Sequence, residues 1–145
     1  MKHLILAVAI VTGTAFAETV KDNNCKVPQS ATGIEMESLM DKEMRIDTST
    51  VDKEKTKTEL ISNTIISKVL AQHYGVEDYK IDPDGWTTLK RYKKMYAQHE
   101  IRNLIIKFIY ENKNMQQNVF LVSALVDDYE CSVRFNGYII VKREF

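Results

Sequence analysis

Hydrophobic positions follow three different rhythms along this chain. From Ile101 to Phe145 they come in short apolar runs separated by polar breaks. Ile101 to Glu111 is rich in Ile, Leu and Phe, Val119 to Val126 is apolar throughout, and Tyr138 to Val141 closes the series. β-Branched and aromatic runs of this length, bounded by turn residues, predict an antiparallel meander. Asn112-Lys113-Asn114 marks the first hairpin. Asn136-Gly137, flanked by Phe135 and Tyr138, marks the second, because both positions tolerate the positive φ of a type I′ turn. Asp127-Asp128 interrupts the middle run and predicts a bulge or strand end. Adjacent carboxylates on a strand point to opposite faces and do not form a dyad.

Helical spacing dominates further upstream. Met36, Met40 and Met44, with Leu39 beside them, make one apolar face over Ile34 to Met44. Core packing is the commoner use of such a stripe, although methionines also make adaptable binding surfaces. Ile46 to Lys57 is polar apart from Val51 and predicts a solvated loop. Thr56 to Gly75 then predicts the longest helix. Thr56-Lys57-Thr58-Glu59 has the form of a capping box. Leu60, Ile61, Ile65, Ile66, Val69, Leu70 and Tyr74 recur at three- and four-residue steps, and Gly75 is placed to end the helix. His73 would fall in its last turn, where an imidazolium interacts well with the dipole. Asp82-Pro83-Asp84-Gly85 is a turn signature. After it, Trp86, Thr88 and Tyr92 alternate as on a strand, while Trp86, Leu89 and Tyr96 fit a helix almost as well. The paired threonines beside aromatics favour the strand.

The expected fold is therefore α+β. One long helix packs on an antiparallel sheet of about four strands, a cystatin-like layout, with a short extra N-terminal helix. Residues 1–17 are set apart from it. Met1-Lys2-His3 is basic, Leu4 to Val11 is apolar, and Ala15-Phe16-Ala17 has the A-x-A form of a signal-peptide cleavage site. Residues 18–33 then read as an extended arm, and 34–145 as a single domain. The apolar stretch near the start is shorter than the roughly 20 residues a spanning helix needs. No integral membrane segment is expected after cleavage, and the expected location is the periplasm or the medium. Two cysteines in an exported chain usually pair. Cys25 and Cys131 are expected to form one disulfide that pins the arm to the sheet.

Charge narrows the partners. The chain has 20 basic and 20 acidic side chains, which gives no reason to expect nucleic acid and argues against a strongly electrostatic membrane binder. Lys90, Arg91, Lys93 and Lys94 do cluster, interleaved with Tyr92 and Tyr96. Solvated edge lysines that block aggregation are the commoner explanation. As a contact surface for a protein partner, Tyr92, Lys93, Lys94 and Tyr96 are the candidates, since exposed aromatics among charges make hot spots. His99-Glu100 is an acid–base pair in sequence only. No G-x-S-x-G, H-E-x-x-H or phosphate-cradling glycine loop occurs. No catalytic residue, cofactor or metal is expected.

The layout and four features together are similar to a family of exported enterobacterial proteins that includes YebF and the colicin M immunity protein. The features are an export segment, a cysteine soon after it (Cys25), a helix followed by an Asp-Pro-x-x-Trp-like step (Asp82-Pro83-Asp84-Gly85-Trp86), and a second cysteine near the end (Cys131). The region from Met36 to Thr58 and the length after Cys131 depart from that family. The resemblance implies the Cys25–Cys131 bond and an envelope location. The expected function is an exported, non-enzymatic protein-binding module, either a periplasmic immunity or inhibitor protein or a YebF-like exported protein. Its partner would be a toxin, an envelope enzyme or a secretion component. The alternatives are a secreted enzyme or toxin using His99 and Glu100, with His73 as a further candidate, and a structural subunit of a surface or secretion apparatus.

Overall fold

The computed structural model describes residues 24–145, so the expected signal peptide and the beginning of the arm lie outside the described residues. Ser30 opens helix α1, Ala31–Lys42, and its hydroxyl accepts from the Gly33 amide at 3.3 Å. The helix thus begins inside the segment expected to be an extended arm. Its inward row is the predicted one. Met36 and Met40 have no exposure, and Met44 is buried just beyond the last turn. A 3-10 turn at Thr48–Thr50 follows in the predicted loop. The apolar exception there, Val51, is buried and bridges to Asn112.

The next element overturns an expectation. Lys57–Ile65 is a strand, β1, and the helix after it, α2, spans Lys68–Ile81. The long helix predicted over 56–75 does not exist. Thr58, Ile61, Thr64 and Ile65 are β-branched and suit an extended chain. Thr58 and Leu60 pair with Phe108 and Ile106, far along the chain, a pairing no local pattern reveals. Ser67 caps α2 by accepting from the Leu70 amide at 3.1 Å. Gly75 therefore lies inside α2 and does not end it. The Asp82–Gly85 turn forms as expected, with the Gly85 amide donating to the Asp82 carbonyl. The segment after it is helix α3, Leu89–Ala97, not the favoured strand. A Cβ at Gly75 would lie 2.7 Å from Lys93 Cα. That glycine lets α2 and α3 pack backbone to backbone.

The meander from 101 onward is as expected. β2 spans Arg102–Glu111, β3 Gln117–Val126 and β4 Arg134–Lys142. The four strands form one antiparallel sheet in the order β1-β2-β3-β4. The β2–β3 turn uses Asn112, whose Oδ1 accepts from the amides of Asn114 and Gln116. Asn136-Gly137 is not the second turn. It lies within β4, where the register shifts opposite Ser123 and Ala124, and Gly137 has φ 132°. The β3–β4 connection is instead the longer 127–133 loop. Asp127 starts it, its carboxylate accepting from the Tyr129 and Glu130 amides at 2.7 Å each.

β2 alternates cleanly between buried and half-buried positions, and β3 is buried over most of its length. Leu104, Ile106, Phe108 and Tyr110 of β2 and Phe120 and Val122 of β3 form the core with the α1 methionines. The opposite face carries a smaller cluster. There Ala71 of α2 and Tyr96 of α3 pack on Ile101 and Leu125. The fold is thus α+β with three helices among the described residues, placed on both faces of the sheet. The α+β class and the four-stranded antiparallel sheet are as expected, but the one long helix of the cystatin-like layout is replaced by two shorter ones, α2 and α3, beside the N-terminal α1.

Cys25 and Cys131 are bonded, with Cα atoms 4.9 Å apart and a sequence separation of 106. The Thr32 hydroxyl donates to the Cys131 carbonyl at 2.6 Å, so the start of α1 is held beside the bond. Closing so long a loop removes entropy from the unfolded chain. Urea unfolding of a Cys25→Ala/Cys131→Ala protein should show a loss of roughly 4 kcal/mol. An unchanged midpoint would mean that the bond does not constrain the unfolded chain.

Candidate functional site

The predicted contact residues Tyr92, Lys93, Lys94 and Tyr96 all lie on α3. Thr88 fixes where it starts, its hydroxyl accepting from the Arg91 amide at 3.3 Å. Helical spacing then separates the four side chains. Tyr92 is half-buried and meets Tyr79 of α2 edge to face, ring centres 6.3 Å apart. Lys93 is half-buried where α3 crosses Gly75. Lys94 is exposed. Tyr96 is only 3% exposed and cannot reach a partner. The structure does not gather these four residues into one surface.

Tyr96 belongs to a tie within the fold. Its hydroxyl donates to the Asp78 carboxylate of α2, and the other oxygen of Asp78 pairs with Arg134 of β4. The Arg134 guanidinium also lies 5.0 Å from the centre of the Tyr74 ring. Asp78 thus joins α2, α3 and the edge strand. Sequence reasoning missed it because Asp78 and Arg134 are remote in the chain and neither belongs to a local motif.

His73 is exposed in the middle of α2, not in its last turn, with its ring 6.0 Å from that of Tyr74. His99 and Glu100 line a cleft of about 210 Å³ with Ile65, Ile66, Gln72 and Ile101; His73 does not line it. His99 faces Tyr129 edge-on at 5.5 Å, and Glu100 pairs with Arg102 at 3.5 Å. Among the described residues, no group of three or more His, Cys, Asp or Glu side chains could hold a metal ion. No described helix is long and apolar enough to cross a membrane.

An aliphatic surface that no described element covers lies on the sheet. α2 and α3 cover one end of the second face, over Leu125. Further along, Ile105, Leu121 and Ile139 line a shallow trough of about 310 Å³ with Ser123, Asn136 and Gly137. Ile139 is 65% exposed and Val141 56%. At the trough floor, Asn136 Nδ2 donates to Ser123 Oγ at 3.0 Å, and Ser123 Oγ donates to Asn103 Oδ1 at 2.9 Å. Asn136 Oδ1 is buried with no partner. The trough adjoins β4, which among the described residues has only β3 as a neighbour. An aliphatic face beside an edge strand is the usual ground for a protein contact. No protein-family model, curated protein or solved structure matches this chain.

Burial, with smaller contributions from Tyr74 and Tyr92, pushes the Tyr96 hydroxyl up to about 12. The unfolded chain releases this proton from about pH 10, whereas the folded chain holds it to about 12. Its contribution is therefore complete below pH 10 and is lost as pH rises from 10 to 12, by roughly 2–3 kcal/mol. Tyr96→Phe should make the alkaline fall in urea stability shallower. It should not make it flat, because burial also raises Tyr110 and Tyr138. Identical slopes for the two proteins would show that Tyr96 ionises freely in the native state.

Proposed function

We propose that this chain is an exported, non-enzymatic protein-binding module of the bacterial envelope, acting as a periplasmic immunity or inhibitor protein or as a YebF-like exported protein. One observation supports the reading most. Along β3 and β4 the uncovered part of the second sheet face presents aliphatic side chains, bordered by Lys107 opposite Leu121, where a solvated antiparallel face is usually polar. Ile105, Leu121 and Ile139 lie side by side there, and Val141 continues the patch at the edge. The contact surface moves accordingly from Tyr92, Lys93, Lys94 and Tyr96 to the β3–β4 face. The partner's apolar segment would lie in the trough. Its backbone would find the outer groups of β4, and Asn136 Oδ1 would gain a donor. Toxins, envelope enzymes and secretion components remain the partner classes. The Cys25–Cys131 bond suits an oxidising compartment, which is why the periplasm or the medium is the location proposed.

A photo-crosslinking residue at position 141 should trap one discrete protein when the chain is expressed in its own cells, and the same residue at exposed position 54 should not. Adding Ile139→Lys to the position-141 protein should cut that adduct at least about tenfold, since burying an unpaired ammonium in an apolar contact costs several kcal/mol. The same adducts at 141 and 54, or no effect of Ile139→Lys, would contradict the reading.

A further inference from the structure

The near-neutral whole chain conceals a strong local asymmetry. α3 carries Lys90, Arg91, Lys93 and Lys94 within nine residues and has no acidic side chain. Among the described residues, none of these four cations has an ion-pair partner, whereas Lys80 of α2 is paired with Glu77 at 2.9 Å. Lys90 and Arg91 stand in the first turn, where the helix dipole repels cations. The fold gains nothing from placing them there. Immediately before the helix, Trp86 is fully exposed at 104%, and Ile81, at the other side of the same turn, is 78% exposed. The Asp82–Gly85 turn holds both apolar side chains at the tip of the α2–α3 pair. Asp82 and Asp84 add two negative charges to this tip, but with Lys80 paired to Glu77, the segment from Ile81 to Ala97 still carries four basic against two acidic side chains, a net +2. The Asp82 carboxylate is folded back against Gly85, its Oδ2 2.1 Å from where a Cβ on that glycine would lie.

An exposed indole and an aliphatic side chain beside unpaired cations match the interfacial region of a bilayer. Indole rings settle at headgroup depth, and basic side chains meet lipid phosphates. The geometry points to a peripheral membrane-docking site at the α2–α3 tip, for a bilayer surface carrying anionic phospholipid. Trp86 and Ile81 enter the headgroup layer, and Lys90, Arg91 and Lys94 contact the phosphates. The site is separate from the aliphatic trough, so one chain can rest on a membrane while its sheet face holds a protein.

Trp86 is the only tryptophan, so its emission reports this site alone. The mature, oxidised chain should be mixed at low salt with vesicles of phosphatidylglycerol and phosphatidylethanolamine, and separately with phosphatidylcholine vesicles. Co-sedimentation and a blue shift of Trp86 are expected with the anionic vesicles only, both weakening as salt rises. A Lys90→Ala/Arg91→Ala/Lys94→Ala protein should partition at least about tenfold less, each cation near an anionic surface contributing roughly fivefold. All three positions are exposed, so the fold should survive, with near-ultraviolet circular dichroism as the check. Ile139→Lys should bind the vesicles like the wild type, which separates failure here from failure of the protein-binding reading. Unshifted emission with the chain left in the supernatant would overturn the proposal. So would equal binding to phosphatidylcholine.

Discussion

Between Cys131 and Arg134 the chain is tied to both layers that cover the sheet. Cys131 is bonded to Cys25, and its carbonyl accepts from Thr32. That fixes the start of α1, whose methionines fill one face. Three residues later, Arg134 pairs with Asp78 and lies over Tyr74, which fixes α2 and α3 on the other face. Between them, the Val133 amide donates to the Leu125 carbonyl at 2.8 Å, so the segment is also part of the sheet. A covalent bond and a half-buried ion pair therefore share one short anchor. Either would be weaker alone. The ion pair is held in place by strand pairing, and the disulfide acts on a loop already positioned by Asp127.

The helices available do not cover the sheet equally. α1 and the residues that follow it bury the central strands of one face, from Leu104 to Tyr110 on β2. The pair α2–α3 reaches only the end around Ile101 and Leu125. Covering the rest would need either a longer pair or another chain. The same geometry turns the far end of the helical pair outward and exposes its turn. Both surfaces proposed here follow from this mismatch between sheet area and helix length, and neither requires a catalytic group.

Local chemistry made part of this readable in the sequence. Met36, Met40 and Met44 pointed to a helix face, which α1 presents, and Asn112-Lys113-Asn114 and Asp82-Pro83-Asp84-Gly85 turn the chain where they should. The cysteine pair followed from the compartment expected for the chain. Nonlocal pairing decided what was misread. Leu60, Ile61, Ile65 and Ile66 fit a helix as well as a strand, and only contact with β2 selects the strand. Gly75 looked like a helix end because nothing nearby shows Lys93 packing across it. Asn136-Gly137 would suit a hairpin turn, but the loop anchored by Asp127 and Cys131 had already reversed the chain. The glycine was left to a register shift, where its φ of 132° is used. Tyr96 seemed exposed among lysines, yet the helical turn that exposes Lys94 points Tyr96 at Asp78.

The central claim is that the sheet, with its central strands buried on one face under α1 and the residues after it, is the stable body, and that α2–α3 is a lighter layer held on by Asp78 and Arg134. Native-state hydrogen exchange of the oxidised chain tests this most directly. The slowest amides should lie in β2 and β3, from Leu104 to Tyr110 and from Val119 to Leu125, at the free energy of global unfolding. Those of α2 and α3 should exchange earlier, through an opening that leaves the sheet closed. If the α2 and α3 amides exchange as slowly as those of the central strands, the two layers unfold as one unit and the account is wrong.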